Sequence, residues 1–275
     1  MLVDSHAHLD SPRYDEDRDE LLLRAWQAGV RTILTIGIGE GPATMHQALD
    51  LVRHYAGRPE TPRIYASAGI HPHEASLATP ETLAKLDQLL TEPEVIACGE
   101  IGLDYFYDHS PREEQKTVFR QQMEIAAARS KPILIHCRPS NDSTNAWDDT
   151  LELLEAHWRA TGLGGILHCF GGDYEHARRA MDLGFLISFA GNATFPKAQP
   201  IRDVAARLPL DSFLVETDCP FLAPIPNRGK RNEPAWVTAV AETLATLHSV
   251  GPAVIAEKTT ENFHRFFGLA HSVRD

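Results

Sequence analysis

Residues 132–136 read Pro-Ile-Leu-Ile-His and residues 165–168 read Gly-Ile-Leu-His, with an amphipathic stretch over 145–160 between them. Each is a short apolar run closed by a histidine, the form of a buried parallel strand that ends at a site. Working outward, strands are predicted at residues 2–5, 32–38, 64–70, 95–101, 132–136, 165–168, 185–189 and 212–217. Helices are predicted at about 15–28, 41–57, 80–91, 112–130, 145–160, 173–183, 198–207 and 233–249, with a last one from about 252 to 266. Apolar spacing of three and four carries the helical assignments, most clearly in Arg120-Gln121-Gln122-Met123-Glu124-Ile125-Ala126-Ala127-Ala128-Arg129. Strict strand–helix alternation favours a parallel sheet, and eight is the number that closes a (β/α)₈ TIM barrel. No G-x-G-x-x-G follows the first strand, and no linker-like composition divides the chain, so residues 1–275 are expected to form a single α/β domain.

Composition agrees with one ordinary core. The chain has 275 residues, 43% hydrophobic and 23% charged, and a mean hydropathy of −0.26. No run approaches the length of a membrane span. The start, MLVDSHAHLD, lacks a basic, apolar secretory leader, so a cytoplasmic location is expected. Cys98, Cys137, Cys169 and Cys219 lie far apart and read as free thiols. A net charge of −12 opposes general adsorption to nucleic acid or anionic membranes. A nucleic-acid substrate would need a local attractor, such as bound divalent cations.

The strand ends carry the chemistry. His6 and His8 are two apart at the end of the first strand, which puts both rings on one side. Glu100 ends the fourth, His136 the fifth, His168 the sixth, and Asp218 follows the eighth. In a closed parallel barrel these ends converge on one mouth. Four imidazoles and two carboxylates suit Zn²⁺ or Mn²⁺ better than Mg²⁺. One hydrolytic ion needs three protein ligands. Six therefore suggest two divalent ions, with Glu100 as the shared ligand because its strand lies between the two groups. Such ions activate water, and Asp218 is a candidate to take its proton.

The order and wording of the motifs resemble the TatD family of metal-dependent hydrolases. The matching segments are DSHAHLD at 4–10, GIHPHEA at 69–75, GEIGLDY at 99–105, ILIHCR at 133–138, ILHCFGG at 166–172, FAGNATFPKA at 189–198, ETDCPFLAP at 216–224 and KRNEPAWV at 230–237. The resemblance implies a (β/α)₈ barrel and a metal-dependent deoxyribonuclease; a narrow barrel mouth would favour single-stranded ends, so a 3′-5′ exonuclease on DNA is expected. It implies His6, His8, Glu100, His136, His168 and Asp218 as metal ligands and DNA as the partner, with no stable protein partner and no membrane. The alternative is hydrolysis of an ester, lactone or amide, or deacylation of D-aminoacyl-tRNA. The commonest lactone and amide designs bridge their metals with a carboxylated lysine, where this chain has Glu100. The chain departs from the family pattern in a longer segment over 138–145.

Other residues are assigned by position. His71, Asn192 and Arg231 are expected to bind substrate, with Arg228 and Lys230 as further phosphate contacts. Asp104 is expected either to support a ligand histidine or to cap a loop. Glu233 is a candidate helix cap, and Trp147 is expected to pack or, beside the long loop, to stack on a base. The loops 138–145 and 223–233 are expected on the catalytic face.

Overall fold

The computed structural model describes residues 1–143 and 145–270. Eight parallel strands follow in chain order: β1 (Leu2–Ala7), β2 (Val30–Thr35), β3 (Arg63–Ala68), β4 (Val95–Asp104), β5 (Ile133–Arg138), β6 (Gly165–Leu167), β7 (Phe185–Phe189) and β8 (Phe213–Val215). The sheet closes where β8 returns to β1. Asp218 N–H donates to His6 O at 2.9 Å and His8 N–H to Cys219 O at 2.8 Å. The buried Asp4 carboxylate clamps the same seam, accepting from Thr217 N–H at 2.9 Å and from the Thr217 hydroxyl at 2.6 Å. The domain is thus a TIM barrel, as the alternation predicts.

Nine α-helices are described: α1 (Arg18–Gln27), α2 (Gln47–Tyr55), α3 (Pro80–Leu89), α4 (Arg112–Ala128), α5 (Asn145–His157), α6 (Tyr174–Met181), α7 (Gln199–Ala205), α8 (Val237–Leu247) and α9 (Pro252–Phe267). Local chemistry sets several starts. Thr79 and Asp173 close capping boxes ahead of α3 and α6, satisfying donors that a first helical turn leaves open. Pro80 and Pro252 occupy first-turn positions, where a missing N–H costs nothing. Three helices start three or more residues later than predicted, α1 among them because residues 15–17 are turns. Residues 41–46 are turns ahead of α2, and Pro234–Trp236 form a short 3₁₀ turn ahead of α8. No single helix among the described residues is long and apolar enough to cross a membrane.

Alternation along the strands divides the core in two. Outward residues such as Ile33, Ile133, Ile135, Leu167 and Ile187 pack under the helices. Inward residues Val3, Leu34, Tyr65, Ala97, Leu134, Ile166, Leu186 and Leu214 fill the barrel, and Phe263 of α9 is buried with them. That plug leaves the opposite end free to be polar. Period two then carries Leu134 to His136, Ile166 to His168 and Leu214 to Glu216. His6 and Glu100 do not follow from unbroken alternation. The β1–β2 register shifts between Asp4 and Ala7, and the β4–β5 register between Cys98 and Ile101. Both irregularities fall at a site residue, as bulges beside active sites do.

Strand ends differ from expectation by a few residues. β2, β3 and β8 stop short of their predicted ends, whereas β4 runs on to Asp104, paired opposite Arg138 of β5. Gly102 makes that extension fit. It sits at φ +140°, and a Cβ there would fall 2.0 Å from the carbonyl oxygen of His136. Only glycine tolerates both the conformation and the approach.

Candidate metal centre

All six predicted ligand residues meet at the C-terminal mouth of the barrel. Glu100 stands in their midst and is buried. Its Oε1 lies 2.6 Å from His136 Nδ1, 2.7 Å from His168 Nε2 and 3.5 Å from His71 Nε2. Its Oε2 lies 3.4 Å from His6 Nε2 and 3.8 Å from His8 Nε2. Asp218 Oδ1 stands 3.4 Å from His8 Nε2 and 3.7 Å from His6 Nε2. The rings of His6 and His168 stack with centroids 3.9 Å apart. The two oxygens of Glu100 therefore face two different sets of imidazoles.

Electrostatics mark this as a strongly coupled cluster. Burial disfavours the Glu100 carboxylate, yet the surrounding histidines, His168 foremost, hold it well below the usual carboxylate range. Burial also disfavours a charged His168, but Glu100 and then Glu216 lift that ring well above the ordinary histidine value. Asp218 is lowered, its burial outweighed by His8, His168 and His6. His6 is pushed down by burial and by His168. Burial also pushes His71 down, to about 4.

The donor set fits divalent cations. Both ring nitrogens of His6, Nδ1 of His168 and Oε2 of Glu216 are buried without a hydrogen-bond partner. Buried polar atoms are rarely left so, and each neutral imidazole keeps one lone pair of the kind a transition-metal ion takes. Groups able to hold an ion are His6, His8 and Glu100; His6, His168 and Glu216; and His71, Glu100 and His136.

The surroundings orient the ligands. Asp104, at the end of β4, is buried and serves both predicted roles. Its Oδ2 accepts from His136 Nε2–H at 3.0 Å and His73 Nε2–H at 2.9 Å. Its Oδ1 accepts the backbone N–H of Phe106 at 3.0 Å and of Tyr107 at 2.8 Å. Holding Nε2–H in this way turns the Nδ1 lone pair of His136 toward Glu100. Glu216 was not among the predicted site residues. Its Oε1 lies 3.4 Å from His168 Nδ1 and accepts Cys169 N–H at 2.6 Å. The signal was an acid inside an apolar strand run, two residues before Asp218. Cys169 and Asp218 are non-glycine residues at φ +43° and +55°. That conformation costs free energy at both strand ends, where it aims the side chains.

His71 is grouped by distance with the possible ligands, but its tautomer argues for a donor. Its Nδ1 accepts His73 N–H at 3.1 Å. In the neutral ring the proton then sits on Nε2, which faces Glu100.

The mouth opens into a cleft of about 980 Å³ lined by His8, His71, Glu100, His136, His168, Asn192 and Asp218. Arg138 lines it from the end of β5 and Pro139 from the start of the loop that follows, and Arg228, Gly229 and Lys230 line it from the loop after β8, on the expected face. Asn192 donates from Nδ2 to Cys169 Sγ at 3.6 Å. Arg231 is not brought to the cleft. Its guanidinium pairs with Asp17 at 2.6 and 2.8 Å and rests on Tyr14, 4.9 Å from the ring centroid. Glu233 precedes its turn without a side-chain cap and instead pairs with Arg24 at 2.7 Å. Trp147 is buried against Phe170 and His176, so it offers no face to a base.

Comparison with known proteins agrees with this architecture. The family model described as TatD related DNase matches residues 3–268. The metal-dependent hydrolase YabD of Bacillus subtilis is 41% identical over 269 residues, covering 98% of this chain and 100% of that protein. The 3′-5′ ssDNA/RNA exonuclease TatD of Escherichia fergusonii is 32% identical over 274 residues, covering 98% of this chain and 100% of its own. The crystal structure of YjjV, a TatD homolog from Escherichia coli K12, superposes with a TM-score of 0.87 at 30% identity, covering 98% of each chain. The chain therefore belongs to the TatD family of metal-dependent hydrolases.

Proposed function

We propose that this hydrolase is a nuclease that cleaves the phosphodiester bonds of DNA from the 3′ end, with two divalent ions at the barrel mouth. One contrast carries the reading. The chain has a net charge of −12, yet Arg13, Arg138, Arg228 and Lys230 line the cleft. Among the described residues none of these four has a carboxylate partner, and Lys230 donates only to Asn227 Oδ1 at 3.1 Å. Arg24 and Arg231, just outside the cleft, are paired with Glu233 and Asp17. Unneutralised cations around a metal-capable floor suit an anionic substrate, and arginine suits phosphate in particular. The exonuclease polarity is taken from the name of the Escherichia fergusonii relative.

His6, His8 and Asp218 would hold one ion, His136 and His168 the other, and Glu100 both. Bound there, such ions supply Lewis acidity to a phosphoryl oxygen and lower the pKa of water. The chain's own groups do the rest. Asp104 and Glu216 fix the orientation of His136 and His168. Asp218, held as a carboxylate, takes the proton of the attacking water. His71, kept neutral by burial, would turn its Nε2–H from Glu100 to a phosphoryl oxygen once Glu100 is engaged by the ions. The cleft arginines hold flanking phosphates, and no base-reading motif restricts sequence.

A metal-resolved screen tests this reading. Protein stripped with chelator and reloaded with Mn²⁺, Zn²⁺ or Mg²⁺ is offered single- and double-stranded DNA, RNA, a lactone and an aminoacyl ester. The expected result is metal-dependent release of nucleotides and slower or no turnover of the last two. Turnover of the lactone or ester without nuclease activity would replace this function with the alternative hydrolase.

A further inference from the structure

The three arginines that line the cleft share one arrangement. Arg13 lies 5.7 Å from the ring centroid of Phe221, Arg138 lies 4.7 Å from that of Tyr107, and Arg228 lies 4.6 Å from that of Phe195. All three rings also line the cleft. Phe221 is 52% exposed and Tyr107 48% exposed, unusual for large rings that could have been packed away. Outside the cleft an arginine is held by a carboxylate, as Arg231 is by Asp17. A carboxylate would cancel the charge, whereas a ring positions a guanidinium and leaves the charge free.

Both walls connect to the metal-capable residues. Phe221 makes an edge contact with His8, centroids 5.9 Å apart. Tyr107 makes one with His73, centroids 5.3 Å apart. His73 in turn shares Asp104 with His136. A ring near a cation is the composition that meets a nucleotide, with a π-face for the base and a charge for its phosphate.

Resting on the nuclease reading, we infer that the pairs Arg13–Phe221, Arg138–Tyr107 and Arg228–Phe195 are nucleotide subsites, each stacking one unpaired base and holding an adjacent phosphate. Duplex DNA presents no free base faces, so such subsites accord with the single-stranded substrates named for the Escherichia fergusonii relative. Base identity is not read, because every base has a π-face.

The test separates stacking from phosphate cleavage. The Mn²⁺-loaded full chain is given 5′-labelled single-stranded DNA whose three 3′-terminal nucleotides either carry bases or are abasic. Wild-type protein is expected to show kcat/KM higher on the intact strand by about tenfold per stacked base. Phe221→Ala and Tyr107→Ala should each bring that ratio down about tenfold, mainly through KM, while Tyr107→Phe should keep it. Equal use of intact and abasic strands by the wild type would overturn the subsites and leave the nuclease reading standing. A preference unmoved by either alanine variant would do the same. No cleavage of either strand would overturn the nuclease reading, and the subsites with it.

Discussion

His136 Nδ1 and Glu100 Oε1 stand 2.6 Å apart, with the Nε2–H of the same ring committed to Asp104 at 3.0 Å. At that spacing a proton joins the carboxylate oxygen and the ring nitrogen, and a bound cation would take the proton's place on the Nδ1 lone pair. Asp104 thus sets which nitrogen of His136 looks into the site. Asp104→Asn keeps an oxygen for the loop amides but weakens the hold on the Nε2–H. Metal affinity is expected to fall about 10–100-fold. Competition against a chromogenic chelator reads this directly.

Asp218 stands at the edge of the cluster, in contact with His8 and His6. Asp218→Asn preserves its shape and removes its basicity. If it is the proton acceptor, kcat falls about 10²–10⁴-fold while much of the bound metal remains. Single-turnover rates measured beside metal content check this, and unchanged kinetics would remove the role.

Acid should strip the site. A histidine binds metal only as the neutral ring, so ion binding releases protons and affinity falls as pH drops. The order of protonation follows from the surroundings. Burial holds His6 low and His71 at about 4, so these rings remain neutral well into acid. His8, His136 and His168 overcome their burial through Asp218, Asp104 and Glu100 and are lifted, His168 most, so they take protons first. Calorimetric titration of the metal in buffers of different ionisation enthalpy should show proton release already at neutral pH, growing further as pH falls.

Salt should weaken DNA binding through the unpaired cations. For a single strand, log K falls with log salt by about 0.7 for each phosphate neutralised. Arg138→Gln or Arg228→Gln is expected to reduce that slope by about 0.7. Arg231→Gln should leave it unchanged, because Asp17 already balances that charge. Fluorescence anisotropy over a salt series measures the slopes.

The comparison of sequence with structure turns on which interactions are local. The barrel was legible because each strand is a short apolar run, and the run length does not depend on the partner strand. His136 and His168 were legible because strict alternation from Leu134 and Ile166 turns them inward. Glu100 and His6 also belong to the site, but through register shifts that depend on strand pairing and have no signal in composition. Glu216 was passed over because it looks like one more residue before Asp218, and only its contact with His168 reveals it. Arg231 and its neighbour Lys230 read alike as basic loop residues. Their fates differ because Asp17, distant in sequence, lies within reach of one of them. Trp147 reads first as a packing ring and only second as a base-stacking one, and its contact with Phe170 decides for packing.

The most direct test of the account is the metal count of one substitution. Glu100 faces both sets of imidazoles, so Glu100→Gln alters the only side chain that both proposed ions would share. Wild-type protein loaded with Mn²⁺ is expected to bind two ions per chain and to give the electron paramagnetic resonance signature of a spin-coupled pair. The Glu100→Gln protein should lose at least one ion and the coupling, with turnover down on the order of 10³-fold. Two tightly bound, coupled ions retained in Glu100→Gln, or no stoichiometric binding by the wild type, would contradict it.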